Sequence, residues 1–344
     1  MKIVLIGAGR ITKWFLDDLQ NTKYKDQITL FGIYNLTYVK ALQYKDTYQI
    51  HKVYQSLDEL IKDAANFDLA YIGTSDATHY EIAKQLLSHK INVFCEKPLT
   101  LSYQTAQELY DLAATNNVLL FDGIKTGFSP VYQMMKVDLE ADLIGTIEYL
   151  SASHAKVSTS GKKPEPKSND KNFVGLHLAG GMYALFIGLD LLGPAQLVTH
   201  LNNAYATHKA ISTSVLNIRH KNQGISTIIA SDSLSSDLSA QILGTKGYIR
   251  LGGNLQKYNA DYQKDSCHMA YTYQVYDLQG NLIKTVDEPF TTAGEGLRFE
   301  IEHVYDLWKN KKNESNVVTK AISLEIIKIL ELTNNTNDHQ IIEL

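Results

Sequence analysis

Short, continuous apolar runs and longer amphipathic stretches alternate through the first third of the chain. The runs fall at residues 3–6, 28–34, 69–72, 91–95 and 118–121. Between them apolar side chains recur at helical spacing. One set is Ile11, Phe15, Leu16 and Leu19, a second Leu57, Leu60 and Ile61, a third Ile82, Ala83, Leu86 and Leu87; Leu101, Leu109 and Leu112 lie on a fourth stretch. Strands that are apolar at every position are buried on both faces, and amphipathic helices supply the cover. The pattern predicts an α/β fold over residues 1–122: a doubly wound parallel sheet with right-handed crossovers.

The texture changes after Asp122. A helix is predicted over residues 130–143, ending at Gly145. Runs rich in β-branched residues or tyrosine follow at 146–157, 197–205, 212–219, 225–230, 239–243, 247–251 and 272–278. Short turn-like links such as Lys221-Asn222-Gln223-Gly224 join several of them, which predicts a mostly antiparallel sheet. One helix interrupts the strands at 180–192, stopped by Gly193-Pro194, and two more close the chain at 294–309 and 319–332. Residues 158–171, STSGKKPEPKSNDK, read as a mobile polar loop.

Composition narrows the function classes. The chain has 344 residues, net charge −4 and no basic stripe, which argues against a nucleic-acid partner. No stretch approaches the roughly 18 apolar residues of a membrane helix, and the apolar run of MKIVLIGAGR is too short for a secretory signal. Two distant cysteines, Cys95 and Cys267, form neither a metal-ligand cluster nor a disulfide framework. The expectation is a soluble, cytoplasmic protein with no metal site.

Candidate chemistry gathers where the predicted parallel strands end. The first passes through Gly7-Ala8-Gly9-Arg10-Ile11-Thr12 into a helix, an arrangement that lets backbone approach a pyrophosphate resting on the helix N-terminus. A tight strand-to-helix turn would by itself explain the glycines, and Thr12 stands at the third glycine position. The second strand should end in the residue that reads the adenosine ribose, acidic for NAD or basic for NADP. Asn35 is neither; it can bond a 2′-hydroxyl while Lys40 can reach a phosphate, so the choice of NAD or NADP stays open. Gly73-Thr74-Ser75-Asp76-Ala77-Thr78-His79 follows another strand. Helix capping would suffice for Thr74 and Asp76, and His79 is by default a surface or capping histidine. Glu96, Lys97 and Pro98 follow the next strand, with Lys97 on the edge where open α/β sheets bind ligands and Pro98 holding it extended.

These segments resemble the Gfo/Idh/MocA family of oxidoreductases, the glucose–fructose oxidoreductase and inositol dehydrogenase group, over essentially the whole chain. The resemblance rests on Gly7-Ala8-Gly9-Arg10-Ile11, on residues 73–80, and above all on Cys95-Glu96-Lys97-Pro98-Leu99. Further matches are Phe128-Ser129-Pro130, Ile144-Gly145-Thr146-Ile147, residues 244–249 and residues 295–300. In pattern it is most similar to the dimeric dihydrodiol dehydrogenase and D-xylose dehydrogenase subgroup. It implies an NAD(P)-binding Rossmann domain over 1–122, held by Gly7, Gly9, Arg10, Ile11, Asn35, Thr74, Asp76, His79, Glu96 and Lys97. A substrate-binding and oligomerisation α+β domain over 123–344 is implied too, with a large, open, mostly antiparallel sheet. The last helices of such a chain can pack back on the Rossmann domain, and the sheet joins subunits into a homodimer or homotetramer. The implied substrate is a sugar, polyol or related small alcohol or carbonyl; tyrosines, His154, His177 and the loop at 158–171 are candidates to line its pocket.

The same resemblance implies Lys97 beside the nicotinamide and a second catalytic residue in the pattern Asp, three residues, then His or Tyr. Here that pattern falls on Ala179-Gly180-Gly181-Met182-Tyr183. Tyr183 fits, whereas Ala179 stands where the family usually has aspartate. A free tyrosine, with a pKa of about 10, is a poor base near neutrality, and a nearby ammonium favours its phenolate. Lys97 and Tyr183 thus make an acid–base pair for alcohol oxidation. A non-catalytic dinucleotide- or sugar-binding sensor on the same fold is the competing reading, motivated by Ala179.

Overall fold

Five largely apolar runs and the amphipathic stretches between them account for most of the first unit. In this computed structural model the described residues are 1–157, 175–204, 211–253, 265–288, 296–334 and 341–343. The expected loop at 158–171 lies outside them, as do residue 295 of one family match and the side chains of His177 and Ala179. The chain divides into two compact units, Met1–Gly123 with Thr291–Ile327, and Ile124–Phe290 with Lys328–Leu344.

The first unit begins β1 (Lys2–Ile6), α1 (Arg10–Leu19), β2 (Thr29–Tyr34), α2 (Tyr38–Tyr48), β3 (Lys52–Tyr54) and α3 (Leu57–Lys62). It continues β4 (Leu69–Ile72), α4 (His79–Ser88), β5 (Asn92–Glu96), α5 (Tyr103–Asn116) and β6 (Leu120–Gly123). All six strands are parallel, in the order β3-β2-β1-β4-β5-β6. The order reverses between β1 and β4, which leaves a crevice at their carboxyl ends. Val4, Ile6, Ala70, Ile72, Val93 and Cys95 from the strands pack with Leu86, Leu87 and Leu109 of the helices. β3, with three residues, and α2, with only Ala41 buried, carried too little apolar signal to be predicted.

The second unit contains α6 (Pro130–Glu140), β7 (Ile147–Ala155), α7 (Gly175–Leu192), β8 (Ala195–Ala204), β9 (Ile211–His220) and β10 (Ile225–Ser231). After these come β11 (Ala240–Gly244), β12 (Gly247–Leu251), β13 (Thr272–Asp277) and β14 (Leu282–Asp287). Two helices, α8 (Arg298–Lys309) and α9 (Lys320–Thr333), precede the final β15 (Ile341–Glu343). The nine-stranded sheet runs β14-β13-β12-β11-β7-β10-β9-β8-β15, antiparallel throughout except for the parallel pair β7–β10. Alternating burial along β9 and β10 puts one face of these strands against α7. The helix is apolar nearly all round, as a helix buried on most sides must be.

α8 and the start of α9 belong to the first unit, where Leu324 and Ile327 join the core of the parallel sheet. Asp18 of α1 accepts from the Leu297 backbone N–H at 2.8 Å, and Tyr24 stacks on Tyr305 with centroids 4.1 Å apart.

Candidate active site

The turn after β1 is shaped by close packing on one side and by open space on the other. Gly7 has φ +104°, and a Cβ there would sit 2.5 Å from the Gly73 carbonyl oxygen, so only glycine fits. Gly9 differs: its Cβ would meet nothing nearer than the same oxygen at 3.9 Å. Among the described residues no contact requires glycine there, whereas a phosphate group resting over the turn would. Gly9 is also the N-cap of α1 and offers no side-chain cap, so the first-turn N–H groups are left for an anion. Thr12 replaces the third glycine without loss of fit, because the small residue is Gly73 opposite; the Thr12 hydroxyl donates to its carbonyl at 3.3 Å. Arg10 is exposed with its guanidinium 4.9 Å from the Trp14 ring centre, and Ile11 is half-buried.

Asn35 ends β2 with its amide engaged on both sides. Its Oδ1 accepts from the Ala8 N–H at 3.0 Å and its Nδ2 donates to the Thr37 carbonyl at 2.9 Å. The side chain therefore braces the phosphate turn, leaving one amide hydrogen for a ribose. Leu36, Tyr38, Val39 and Lys40 beside it are exposed, Leu36 by 90%.

At the ends of β4 and β5 the picture departs from the simplest expectation. Neither Thr74 nor Asp76 caps a helix through its side chain; the Thr74 hydroxyl instead accepts from Thr78 at 2.8 Å. His79 is not on the surface but fully buried, with Nδ1 2.8 Å from the Pro98 carbonyl oxygen. That contact ties the β4 loop to the segment carrying Lys97. Burial pushes the His79 imidazole below its ordinary pKa, so the ring is neutral and Nδ1 donates. The Lys97–Pro98 peptide bond is cis, which sequence does not reveal. Lys97 is half-buried, while Glu96 is buried and accepts from the Tyr71 hydroxyl at 2.8 Å.

Asp122 was missed by sequence reasoning because it ends an apolar run. Pairing of β5 with β6 sets it beside Cys95, with Gly123 beside Glu96. It is 1% exposed and accepts from the Ser323 hydroxyl at 2.6 Å. Burial pushes its carboxyl up to about 7, opposed by the Ser323 bond and the Lys97 charge and reinforced by the Glu96 charge.

Tyr183 of α7, 9% exposed, sits in a cluster within the second unit. The His268 ring stacks on it with centroids 5.0 Å apart and planes inclined 20°, and His154 of β7 lies 5.9 Å away. The two imidazoles are 4.9 Å apart, and Ser266 Oγ is 2.6 Å from His268 Nδ1. Gly180, one turn before Tyr183, is needed because a Cβ there would overlap the His154 ring. Lys125 Nζ stands 5.8 Å from the Tyr183 ring centre. Sequence reasoning singled out Tyr183 and His154; Lys125 and His268 stand in no recognisable pattern.

A parallel sheet with this strand order, a glycine turn over an open helix N-terminus, and a lysine on the same edge define a dinucleotide-binding Rossmann unit. Residues 1–124 match the model of an oxidoreductase family with an NAD-binding Rossmann fold, the Gfo/Idh/MocA family. Residues 1–124 thus match that family's NAD-binding unit, and the chain is an oxidoreductase whose cofactor is NAD or NADP. Among curated relatives, a trans-1,2-dihydrobenzene-1,2-diol dehydrogenase of Xenopus tropicalis is 24% identical over 343 residues, 95% of each chain. A scyllo-inositol 2-dehydrogenase (NADP(+)) of Bacillus subtilis (strain 168) is 23% identical over 96% of this chain and 95% of its own. An NAD binding oxidoreductase from Klebsiella pneumoniae shares the fold with a TM-score of 0.83 at 17% identity, covering 100% of this chain and 98% of the other.

Proposed function

We propose that the protein interconverts a CH–OH group and a carbonyl on a sugar, polyol or related small alcohol, with Lys97 and Tyr183 as its acid–base pair. The observation that carries the reading is Lys97 at the carboxyl end of β5, on the strand edge that bears the Gly7–Gly9 turn. The diol and inositol dehydrogenases among the relatives support the substrate class. A bound nicotinamide would supply the acceptor for the carbinol hydride. The Gly7–Gly9 turn and the α1 N-terminus hold the pyrophosphate, with Asn35 bracing the turn. The hydroxyl proton passes to Tyr183, while Lys97 donates a hydrogen bond to the substrate oxygen and steadies its negative charge. A homodimer or homotetramer through the nine-stranded sheet belongs to the same proposal, and sedimentation tests it.

A panel of sugars and polyols with NAD and with NADP, followed by nicotinamide absorbance, tests the reading. Lys97→Met and Tyr183→Phe should each lower kcat by about 10² to 10⁴, the range for losing a positioned acid or base, with little change in cofactor affinity. Ala179 supports the competing sensor. If the wild type binds cofactor without turnover on any alcohol or carbonyl and Ala179→Asp creates activity, the sensor reading replaces this one.

A further inference from the structure

Lysine is among the side chains least often fully buried, yet Lys125 is 4% exposed. It opens the 3-10 turn Lys125–Phe128 that follows β6, and its Nζ lies 5.8 Å from the centre of the Tyr183 ring. That distance is within the roughly 6 Å over which a cation is attracted to an aromatic face. We propose that the Lys125 ammonium stabilises the Tyr183 phenolate, making Lys125 a positioning residue that readies Tyr183 to take a proton. The inference rests on the reading of Tyr183 as the proton acceptor. In the step it serves, the substrate O–H bond breaks and its proton forms the tyrosine O–H. The carbinol hydride goes to the nicotinamide, and Lys125 keeps its own protons throughout.

Among the described residues of the second unit, the other groups named around the ring do not supply this charge. β7 contributes His154 and the segment after Asp265 contributes His268. Imidazoles are neutral in the alkaline range where a phenol titrates. β10 turns Ser226, Ile228 and Ala230 toward α7, and β9 buries Ser214, Leu216 and Ile218, none of them ionisable in this range. On α7 itself Asp190 is paired with Lys136 and accepts from Tyr132. The Asp265 carboxylate accepts from the Tyr271 and Thr272 backbone N–H groups and the Thr272 hydroxyl. An opposite charge beside the ring lowers the phenol's pKa, against the rise that burial of Tyr183 imposes.

The test uses the full chain without cofactor or substrate, its tyrosines carrying ¹³C at Cζ, with Tyr183→Phe identifying the Tyr183 resonance. Burial and the Lys125 charge act in opposite directions on this titration, so the readout is its change when the charge is removed. Lys125→Met should move the titration up by about one unit or more, and Lys125→Arg should restore most of the depression. With a turned-over substrate, the alkaline shift of the kcat/KM profile in Lys125→Met should match the NMR shift. An unmoved titration in a folded Lys125→Met overturns the proposal; where Lys125→Met does not fold, Lys125→Gln takes its place and an unmoved titration there overturns it equally. Full activity in Tyr183→Phe would instead remove Tyr183 from the reaction, while the titration still decides what Lys125 does.

Discussion

Replacing Asp122 by asparagine should stabilise the first unit, and should do so more at higher pH. The Asp122 carboxyl is raised from 3.8 to about 7 by burial, against the opposing Ser323 bond and Lys97 charge. Between those values the folded chain holds a proton that the unfolded chain has released. Stability from this group is therefore fully present below about 3.8 and is lost as pH rises through about 7. At about 1.4 kcal/mol per unit, the charged carboxylate costs roughly 4 kcal/mol above pH 7. Asparagine keeps an acceptor for Ser323 but buries an N–H₂ group, which costs about 1–2 kcal/mol if it is left unpartnered. The expected net gain is about 2–3 kcal/mol at pH 8, falling to near zero at pH 4.5. Both tryptophans, Trp14 and Trp308, lie in the first unit, so urea unfolding followed by their fluorescence at pH 4.5, 6 and 8 reads this unit directly. An equal loss of stability at all three pH values would show that Asp122 is held as a well-paired carboxylate, and the argument would fail.

Gly9→Val should leave melting unchanged, since little in the protein meets a Cβ there, while raising the cofactor Kd at least about a hundredfold, roughly 2.7 kcal/mol; normal affinity in the folded variant sinks the phosphate site. With Asn35 in place of a charged reader, NAD and NADP should bind within about tenfold of each other by calorimetric titration, and a preference of several hundredfold would point to another residue at the ribose. Burial lowers the His79 pKa, so the unfolded chain takes up a proton that the folded chain refuses, and stability falls as pH drops below about 6.5. His79→Gln should reduce that acid slope by up to about 1.4 kcal/mol per pH unit, measured by urea unfolding between pH 5 and 7; an unchanged slope assigns the acid sensitivity to His220 and His303, whose pKa values burial also lowers.

What the sequence disclosed follows the strength of its periodic signals. β1, β4 and β5 are apolar at nearly every position, and the glycine turn and Lys97 stand where those strands end, so the cofactor edge was legible. α2 was not, because Tyr38, Val39 and Leu42 face solvent and leave no apolar stripe. β14 was missed for a similar reason: Leu282 and Ile283 are exposed on an edge strand. The burial of His79 depends on Pro98, nineteen residues away, and the burial of Asp122 on Ser323, two hundred and one residues away. Contacts of that span carry no local pattern. The cluster of Lys125, His154 and His268 around Tyr183 joins three separate segments, of which sequence marked one residue as a guess.

The return of residues 297–327 to the parallel sheet has a consequence for how the chain is made. Tyr24 donates to Asp306 at 2.6 Å, the Lys23 N–H donates to Glu302 at 2.9 Å, and Leu324 and Ile327 fill the core beside β4 and β5. During translation the first 123 residues emerge without these partners. Completing their core must wait until residues 124–290 of the second unit have been synthesised and residues near 327 have cleared the ribosome. At roughly 5–20 residues per second, that is a delay of about ten to forty seconds. Through this interval the apolar surface later covered by α8 and α9 stays open to chaperones. Pairing such distant segments makes the loop-closure cost of folding high and the final assembly slow. A gene fragment ending at Gly123 would accordingly yield the strands of the cofactor unit without the helices that seal it.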